Sequence, residues 1–248
     1  QVGLIVTGGI SPNPEGCVAA MAAKLNTEEE VKHHKLITSA VHAEGGKICM
    51  QILHTGRYGY HPKIVAPSAI QAPINFFKPK ELSPEEIEKT IDDYVQCALL
   101  AQKAGYDGVE IHGAHGYILT QFLSKEINKR DDQYGGSLQN RSRLLFEIIE
   151  GIRAACGINF LLGVRLSPEK FGMEIQEIKL ICEQLINDNL VDFIDLSLWD
   201  CFKMPEDNQY QNLSLLEHFT SLDFKNVALT VAGKISSGED VNKILNSG

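Results

Sequence analysis

Short apolar segments alternate with longer helical patterns along the whole of this 248-residue chain. We predict strands at residues 3–7, 47–53, 108–112, 160–165, 193–197 and 227–232. We predict helices at residues 28–44, 84–104, 138–155, 176–187, 213–222 and 239–246. This alternation favours βα units around a parallel sheet, because neighbouring parallel strands need a long crossover and a helix supplies it. No linker interrupts the pattern, so we expect residues 1–248 to form a single domain.

Two architectures fit repeated βα units, a closed barrel and a doubly wound open sheet. The dinucleotide fingerprint Gly-x-Gly-x-x-Gly follows none of the predicted strands. Polar residues lie instead at the C-terminal ends of several strands, as at Gln51, His54, His112, Arg165 and Trp199. Only a barrel gathers all these ends around one mouth. We therefore predict an α/β fold, a TIM (β/α)8 barrel that lacks its first and last strands in this chain, and we expect the chain to be a fragment truncated at both ends.

Two histidines and a tyrosine lie together at the end of the strand predicted at 108–112, in the segment His112-Gly113-Ala114-His115-Gly116-Tyr117. Side chains alternate along an extended chain, so His112 and His115 would point apart unless the small residues between them let the backbone bend. In a buried loop such groups need hydrogen-bond partners, and a structural role is the alternative to a functional one. The cluster can hold a carbonyl oxygen and deliver a proton, so we identify it as a candidate catalytic site.

Charge and cysteine content restrict the partners of the chain. The formal net charge is −9 and no run of Lys or Arg is present, so we expect no nucleic-acid partner. The apolar runs fall short of the roughly 20 residues that a membrane-spanning helix needs, so we expect no membrane partner. Six single cysteines without a Cys-x-x-Cys pair indicate buried thiols in a cytoplasmic protein without a metal site. The sequence leaves the oligomeric state open, with a homo-oligomer as one option.

Several separated motifs resemble those of the old yellow enzymes, flavin-dependent ene-reductases built on a TIM barrel. The segments concerned are residues 51–57 (QILHTGR), 112–117 (HGAHGY), 128–137 (NKRDDQYGGS) with Asn140, Arg141 and Arg143, and 164–167 (VRLS). Several motifs in the family's order are more specific than any single short match. The resemblance implies FMN as the cofactor and NADH or NADPH as the electron donor. It also implies a small enone or enal substrate whose C=C bond is reduced.

The resemblance assigns cofactor contacts to residues at the predicted strand ends. Gln51 would contact the pyrimidine edge of FMN, because one amide offers both a donor and an acceptor. Arg165 would place a positive charge beside the ring, and an ordinary strand-end salt bridge is its alternative role. Gly233 and Lys234 would contact the FMN phosphate, although a glycine at a strand end is also a routine turn residue. Gly9 would let the flavin approach the backbone.

The same resemblance assigns the chemistry to the histidine cluster. His112 and His115 would hold the substrate carbonyl oxygen, which gains negative charge during hydride transfer. Tyr117 would donate a proton to the α-carbon. These three residues are the candidate catalytic and substrate-binding residues.

Other functions remain open from the sequence. Some segments, at residues 53–58, 66–75 and 105–110, look closer to the barrel domain of bacterial 2,4-dienoyl-CoA reductases, which carry further domains. A barrel enzyme that acts on a phosphorylated substrate without flavin would need a strand-end lysine or a carboxylate pair, and neither appears at the predicted strand ends. A metal hydrolase would need a third ligand beside His112 and His115. A barrel that keeps the motifs without binding a cofactor is the last alternative.

Overall fold

The chain folds around a sheet of six parallel strands in a computed structural model that describes residues 2–247. The strands are β1 (Leu4–Val6), β2 (Lys47–Ile52), β3 (Val65–Ala66), β4 (Lys80–Glu81), β5 (Gly108–Gly113), β6 (Leu161–Leu166), β7 (Phe193–Ser197) and β8 (Ala228–Ala232). The helices are α1 (Glu28–Ala43), α2 (Pro84–Lys103), α3 (Ile118–Leu123), α4 (Leu138–Cys156), α5 (Ile175–Asn187), α6 (Leu215–Thr220) and α7 (Gly238–Leu245). All the predicted strands and helices are present, with ends that shift by one or two residues.

The order of the main sheet is β1-β2-β5-β6-β7-β8, and all neighbouring strands are parallel. A doubly wound sheet would reverse its order at a switch point, and this sheet shows no reversal. The short strands β3 and β4 pair with each other in the connection between β2 and α2. Within residues 2–247 the sheet is an open, curled arc, because β1 pairs with β2 alone and β8 with β7 alone. The predicted α/β barrel order is therefore confirmed.

Local sequence signals explain where the long helices begin and end. Ser83 and Glu86 form a capping box before α2, in which the Ser83 Oγ accepts from the Glu86 N–H at 3.3 Å and Glu86 Oε2 accepts from the Ser83 N–H at 3.0 Å. Pro84 occupies the first helical position, and Gly105 follows the helix with φ +87°. No helix described between residues 2 and 247 combines the length and apolar character that crossing a membrane requires.

The hydrophobic core lies between the sheet and its helices. Alternate strand residues such as Ile111, Val164 and Ile194 are fully buried and belong to one cluster with helix residues such as Tyr94 and Ile148. Since successive strand residues point to opposite faces, the residues between them point to the interior of the arc. Burial of the apolar residues against the helices therefore determines which side chains face the interior of the arc.

The sequence pattern does not predict helix α3. All six of its residues are buried, so they carry no polar face from which a helical period could be read. The Ile118 N–H donates to the carbonyl oxygen of His54 at 3.0 Å. This contact ties the segment after β5 to the segment after β2, and so brings two predicted site segments together.

Gly108 marks a close approach between β5 and β6. A Cβ atom at this position would lie 2.3 Å from the carbonyl oxygen of Leu161, a backbone atom that no rotamer change can move. We expect Gly108→Ala to lower the free energy of unfolding by about 1–3 kcal/mol, the usual cost of overpacking. Urea denaturation followed by circular dichroism measures this change. Gly238→Ala is the matched control, because no atom lies within 4 Å of its Cβ position; an equal loss in both variants would contradict the close approach.

Candidate active site

The interior face of the arc is polar where the strands end. Its polar side chains are Gln51, Glu110, His112, Arg165, Asp195, Ser197 and Thr230. The strand register pairs His112 with Arg165 and Arg165 with Asp195. Side chains on one level of neighbouring strands lie close together, so these residues form one cluster.

The chain bends sharply after β5, and the bend brings His112 and His115 together. His115 has φ +58° and Gly116 has φ +80°, both in the left-handed region. The backbone N–H of His115 donates to Ser167 Oγ at 3.2 Å and so holds the bend. The two imidazole centroids are 5.0 Å apart with an interplanar angle of 70°. A left-handed conformation is costly for a residue other than glycine, and such strain is typical of functional loops.

Both imidazoles are held in the neutral form. Burial, with smaller contributions from His115 and Arg165, lowers the pKa of His112 to about 3. Burial and then Arg165 also lower the pKa of His115. His112 Nδ1 accepts from the Ala114 backbone N–H at 3.2 Å, so the ring proton of His112 lies on Nε2. His112 therefore offers one N–H donor and carries no charge.

Tyr117 lies beside this pair, directly before α3. Its ring centroid is 5.2 Å from that of His112 and 6.2 Å from that of Tyr58. Burial raises the pKa of Tyr117, and Tyr58 and Tyr60 raise it further. The phenol therefore stays protonated at neutral pH and can act as a proton donor.

Arg165 joins the cluster as its cation. Its Nη2 donates to Ser197 Oγ at 3.2 Å. Its Nε lies 3.1 Å from Asp195 Oδ2, yet this buried Nε–H makes no well-directed hydrogen bond, so the contact is an ion pair only. Arg165 thus forms the strand-end salt bridge that the sequence offered as an alternative, and it also lines one of the two cavities beside the cluster.

Gln51 and Glu110 form a buried pair on the same face. Gln51 Nε2 donates to Glu110 Oε1 at 2.5 Å, and the two residues are 6% and 2% exposed. Burial raises the pKa of Glu110 to about 7, with Gln51 and Arg165 opposing the rise and Asp195 adding to it. The Glu110 contact fixes the orientation of the Gln51 amide. The side-chain oxygen of Gln51, Oε1, has no hydrogen-bond partner among the residues described, so it is available to a donor.

The three other predicted cofactor residues have different surroundings. Gly233 has φ +155°, and a Cβ there would lie 2.9 Å from the backbone nitrogen of Asp200, so only glycine fits. Lys234 Nζ lies 3.2 Å from Asp200 Oδ2, and its side chain is exposed. Gly9 packs on Leu53, whose side chain would meet a Cβ at 2.6 Å. Gly233 therefore lies beside the cluster, whereas Lys234 is paired with a carboxylate. Gly9 is close to Leu53, so a larger residue would not fit there.

Two cavities open beside His115 and Tyr117. The first, of about 420 Å³, is lined by Tyr58, Tyr60, Ile74, His115, Tyr117 and Phe171 among others. The second, of about 440 Å³, is lined by His115, Tyr117, Arg165, Ser197, Trp199 and Gly233 among others. Both volumes are in the range of small-molecule sites. The first suits an apolar ligand, and the second, which holds a cation and bare backbone, suits a polar or anionic one.

Sequence reasoning does not identify Glu110, Asp195 or Ser197 as site residues. Each stands in an otherwise apolar strand of a parallel sheet, where both faces are normally buried. The spacing carries a signal all the same, because Glu110 precedes His112 by two residues and Asp195 precedes Ser197 by two. Polar residues at period two within apolar strands mark one face of the sheet.

Glu110 makes the stability of the fold depend on pH. Its folded pKa of about 7 lies above the ordinary 4.5, so its contribution to stability is present below pH 4.5 and is lost as the pH rises to 7. Glu110→Gln removes this titration. We expect the free energy of unfolding of the wild type, relative to Glu110→Gln, to fall by about 3 kcal/mol over that interval, as measured by urea titrations. Glu150→Gln, on the exposed face of α4, is the control; a difference that does not change with pH would contradict the assignment.

The whole chain, residues 1–248, matches the model of the NADH:flavin oxidoreductase / NADH oxidase family. The N,N-dimethylglycine/sarcosine dehydrogenase of Chromohalobacter salexigens is 35% identical over 201 residues, which cover 77% of this chain and 29% of that protein. The 12-oxophytodienoate reductase 7 of Oryza sativa subsp. japonica is 38% identical over 186 residues, which cover 68% of this chain and 47% of that protein. The chain thus spans less than half the length of these two relatives.

A comparison with solved structures supports the same family. The old yellow enzyme homologue from Zymomonas mobilis matches with a TM-score of 0.85 at 29% identity, over 99% of this chain and 72% of that one. The resemblance drawn from the motifs is confirmed by the family model and by this structure. The chain belongs to the NADH:flavin oxidoreductase / NADH oxidase family, which includes the old yellow enzymes.

Proposed function

We propose that the protein is an FMN-dependent oxidoreductase that reduces the C=C bond of α,β-unsaturated carbonyl compounds with electrons from NADH or NADPH. The observation that carries the proposal is the pair of neutral imidazoles, His112 and His115, whose centroids lie 5.0 Å apart and of which His115 lines two cavities. Uncharged N–H donors suit an oxygen that becomes negative only during the reaction. Small enones and enals meet this requirement, because their carbonyl oxygen gains charge when hydride adds to the alkene.

The polar part of the cluster fits FMN. Gln51 offers an amide oxygen of fixed orientation, and Arg165 offers a cation in the lining of the second cavity. Gly233 offers bare backbone after the last strand, where barrels commonly bind phosphate, and Lys234 lies next to it. FMN bound here supplies the hydride and is reloaded by NADH or NADPH. The remaining steps fall to the side chains of the protein.

His112 and His115 bind and polarise the substrate oxygen. The proton on His112 Nε2 is available, because Nδ1 of that ring already accepts from the backbone. Burial lowers the pKa of both rings, and Arg165 adds to this effect, so both rings resist protonation. Neutral donors stabilise the charge that develops on the oxygen without transferring a full proton to it.

Tyr117 is the proton donor for the α-carbon in this proposal. It lines both cavities, and its ring centroid is 5.2 Å from that of His112. Its raised pKa keeps the proton on the phenol until a strongly basic carbon is formed beside it. The donor therefore stands next to the residues that hold the carbonyl oxygen.

The name of the Chromohalobacter relative suggests an amine substrate as a rival. The carboxylate of such an amino acid could pair with Arg165 or with Lys170, whose Nζ lies 5.1 Å from the Trp199 ring centroid beside the second cavity, but its ammonium group would need an anionic partner. No carboxylate is among the residues described as lining the two cavities. The charges favour a neutral carbonyl compound that becomes anionic.

Replacing either histidine tests the carbonyl clamp. Loaded with FMN, the protein should show the flavin absorbance bands, bind 4-hydroxybenzaldehyde and reduce 2-cyclohexenone with NADPH. His112→Ala and His115→Ala should each weaken phenol binding and slow alkene reduction by about tenfold or more, the scale of a lost oxyanion donor. Flavin absorbance titrations and NADPH oxidation measure the two effects, and His33→Ala in the exposed part of α1 is the control. A protein that takes up no FMN would overturn the function, whereas unchanged phenol binding would overturn the clamp alone.

Tyr117→Phe separates proton donation from cofactor reduction. We expect reoxidation of the reduced flavin by the enone to slow by about tenfold or more, because the proton donor is lost. Reduction of the flavin by NADPH should keep its rate, since no proton from Tyr117 is needed in that half-reaction. Stopped-flow absorbance resolves the two halves, with Tyr210→Phe before α6 as the control. Equal slowing of both halves would indicate a structural role for Tyr117.

A further inference from the structure

Ser197 holds a buried hydroxyl between two groups of the site. Its Oγ lies 2.7 Å from His115 Nε2 and 3.2 Å from Arg165 Nη2, and the residue is 5% exposed. It is the last residue of β7, so the sheet fixes its position. These are the only hydrogen bonds of the hydroxyl among the residues described between positions 2 and 247.

Counting donors and acceptors assigns the proton of each bond. A guanidinium group donates only, so Ser197 Oγ accepts from Arg165. The hydroxyl has one proton, and His115 Nε2 is the acceptor within reach. If His115 Nε2 carried a proton instead, the buried Ser197 proton would have no acceptor, which is unfavourable. Nε2 is therefore the acceptor, and the proton of the neutral His115 ring lies on Nδ1.

The two histidines are thus fixed in opposite tautomers. The backbone N–H of Ala114 donates to Nδ1 of His112, and the Ser197 hydroxyl donates to Nε2 of His115. The remaining nitrogens, Nε2 of His112 and Nδ1 of His115, have no partner among the residues described. These nitrogens carry the ring protons, so each ring has one free N–H to offer to a single ligand oxygen.

We propose that Ser197 is a positioning residue that holds His115 in the Nδ1–H tautomer and makes it a donor to the substrate carbonyl oxygen. The carbonyl part of this inference rests on the proposed function, whereas the tautomer does not. Ser197 acts on the ring only, because the backbone of His115 is held separately by Ser167 Oγ at 3.2 Å. Loss of the Ser197 hydroxyl should change which nitrogen carries the proton and leave the bend of the loop in place.

Long-range ¹H–¹⁵N spectra of histidine-labelled protein test the tautomer directly, without added cofactor. The His115 signals are assigned by their loss in His115→Asn. We expect Nδ1–H in the wild type, a mixture of tautomers in Ser197→Ala, and Nδ1–H again in Ser197→Thr, which restores the hydroxyl. Ser142→Ala is the matched control, because Ser142 is equally buried in α4 and donates to a helix carbonyl. An Nε2–H tautomer in the wild type, or an unchanged tautomer in Ser197→Ala, would overturn the proposal.

Phenol binding by the FMN-loaded protein tests the consequence of the tautomer. Ser197→Ala should weaken the binding of 4-hydroxybenzaldehyde by about fivefold or more, and Ser197→Thr should restore it, since one charge-assisted donor is lost and regained. A loss of binding that Ser197→Thr does not restore would show that the hydroxyl is not the cause. If the protein took up no FMN, the proposed function would fail, and the spectra would still decide the tautomer.

Discussion

Because β5, β6 and β7 run in parallel register, His112 stands opposite Arg165 and Arg165 opposite Asp195 on the interior face of the arc. A slip of one residue in either pairing would turn these side chains into the layer beneath the helices. The residues that alternate with them, such as Ile111 and Val164, are fully buried in the apolar core. The free energy of burying that core therefore holds the polar cluster in place.

Burial removes charge from most of this cluster. It raises the pKa of Glu110 to about 7 and lowers that of His112 to about 3, so both groups tend toward their neutral forms. Arg165 is the cation of the cluster, and the Asp195 carboxylate lies 3.1 Å from its Nε. An interior with neutral donors and one paired cation favours an oxygen that acquires charge during a reaction over a ligand that arrives with a full positive charge.

The sequence predicts the elements that carry strong local signals. The capping box at Ser83 and the glycine at position 105 set the ends of α2, and the motif from His112 to Tyr117 locates the candidate site. Helix α3 is not predictable in this way, because all of its residues are buried and tertiary contacts decide its conformation.

The sequence also does not show which residues contact and orient the predicted site residues. Glu110, Asp195 and Ser197 read as isolated polar residues in apolar strands, and their function depends on what the neighbouring strand places beside them. Gln51 is a predicted cofactor residue, yet only the register shows that Glu110 lies opposite it. A motif names residues that touch a ligand, whereas the groups that orient them follow from the pairing of strands.

The Ser197 hydroxyl connects Arg165, a proposed cofactor contact, with His115, a proposed substrate contact. Since it accepts from Arg165 and donates to His115, the strength of one bond affects the other, because a hydroxyl that accepts from a cation becomes a better donor. An acceptor that drew the guanidinium of Arg165 away would weaken the bond to His115 Nε2 and make its ring less firmly fixed. If the proposed function holds, cofactor binding and carbonyl binding are therefore expected to be coupled through a single side chain.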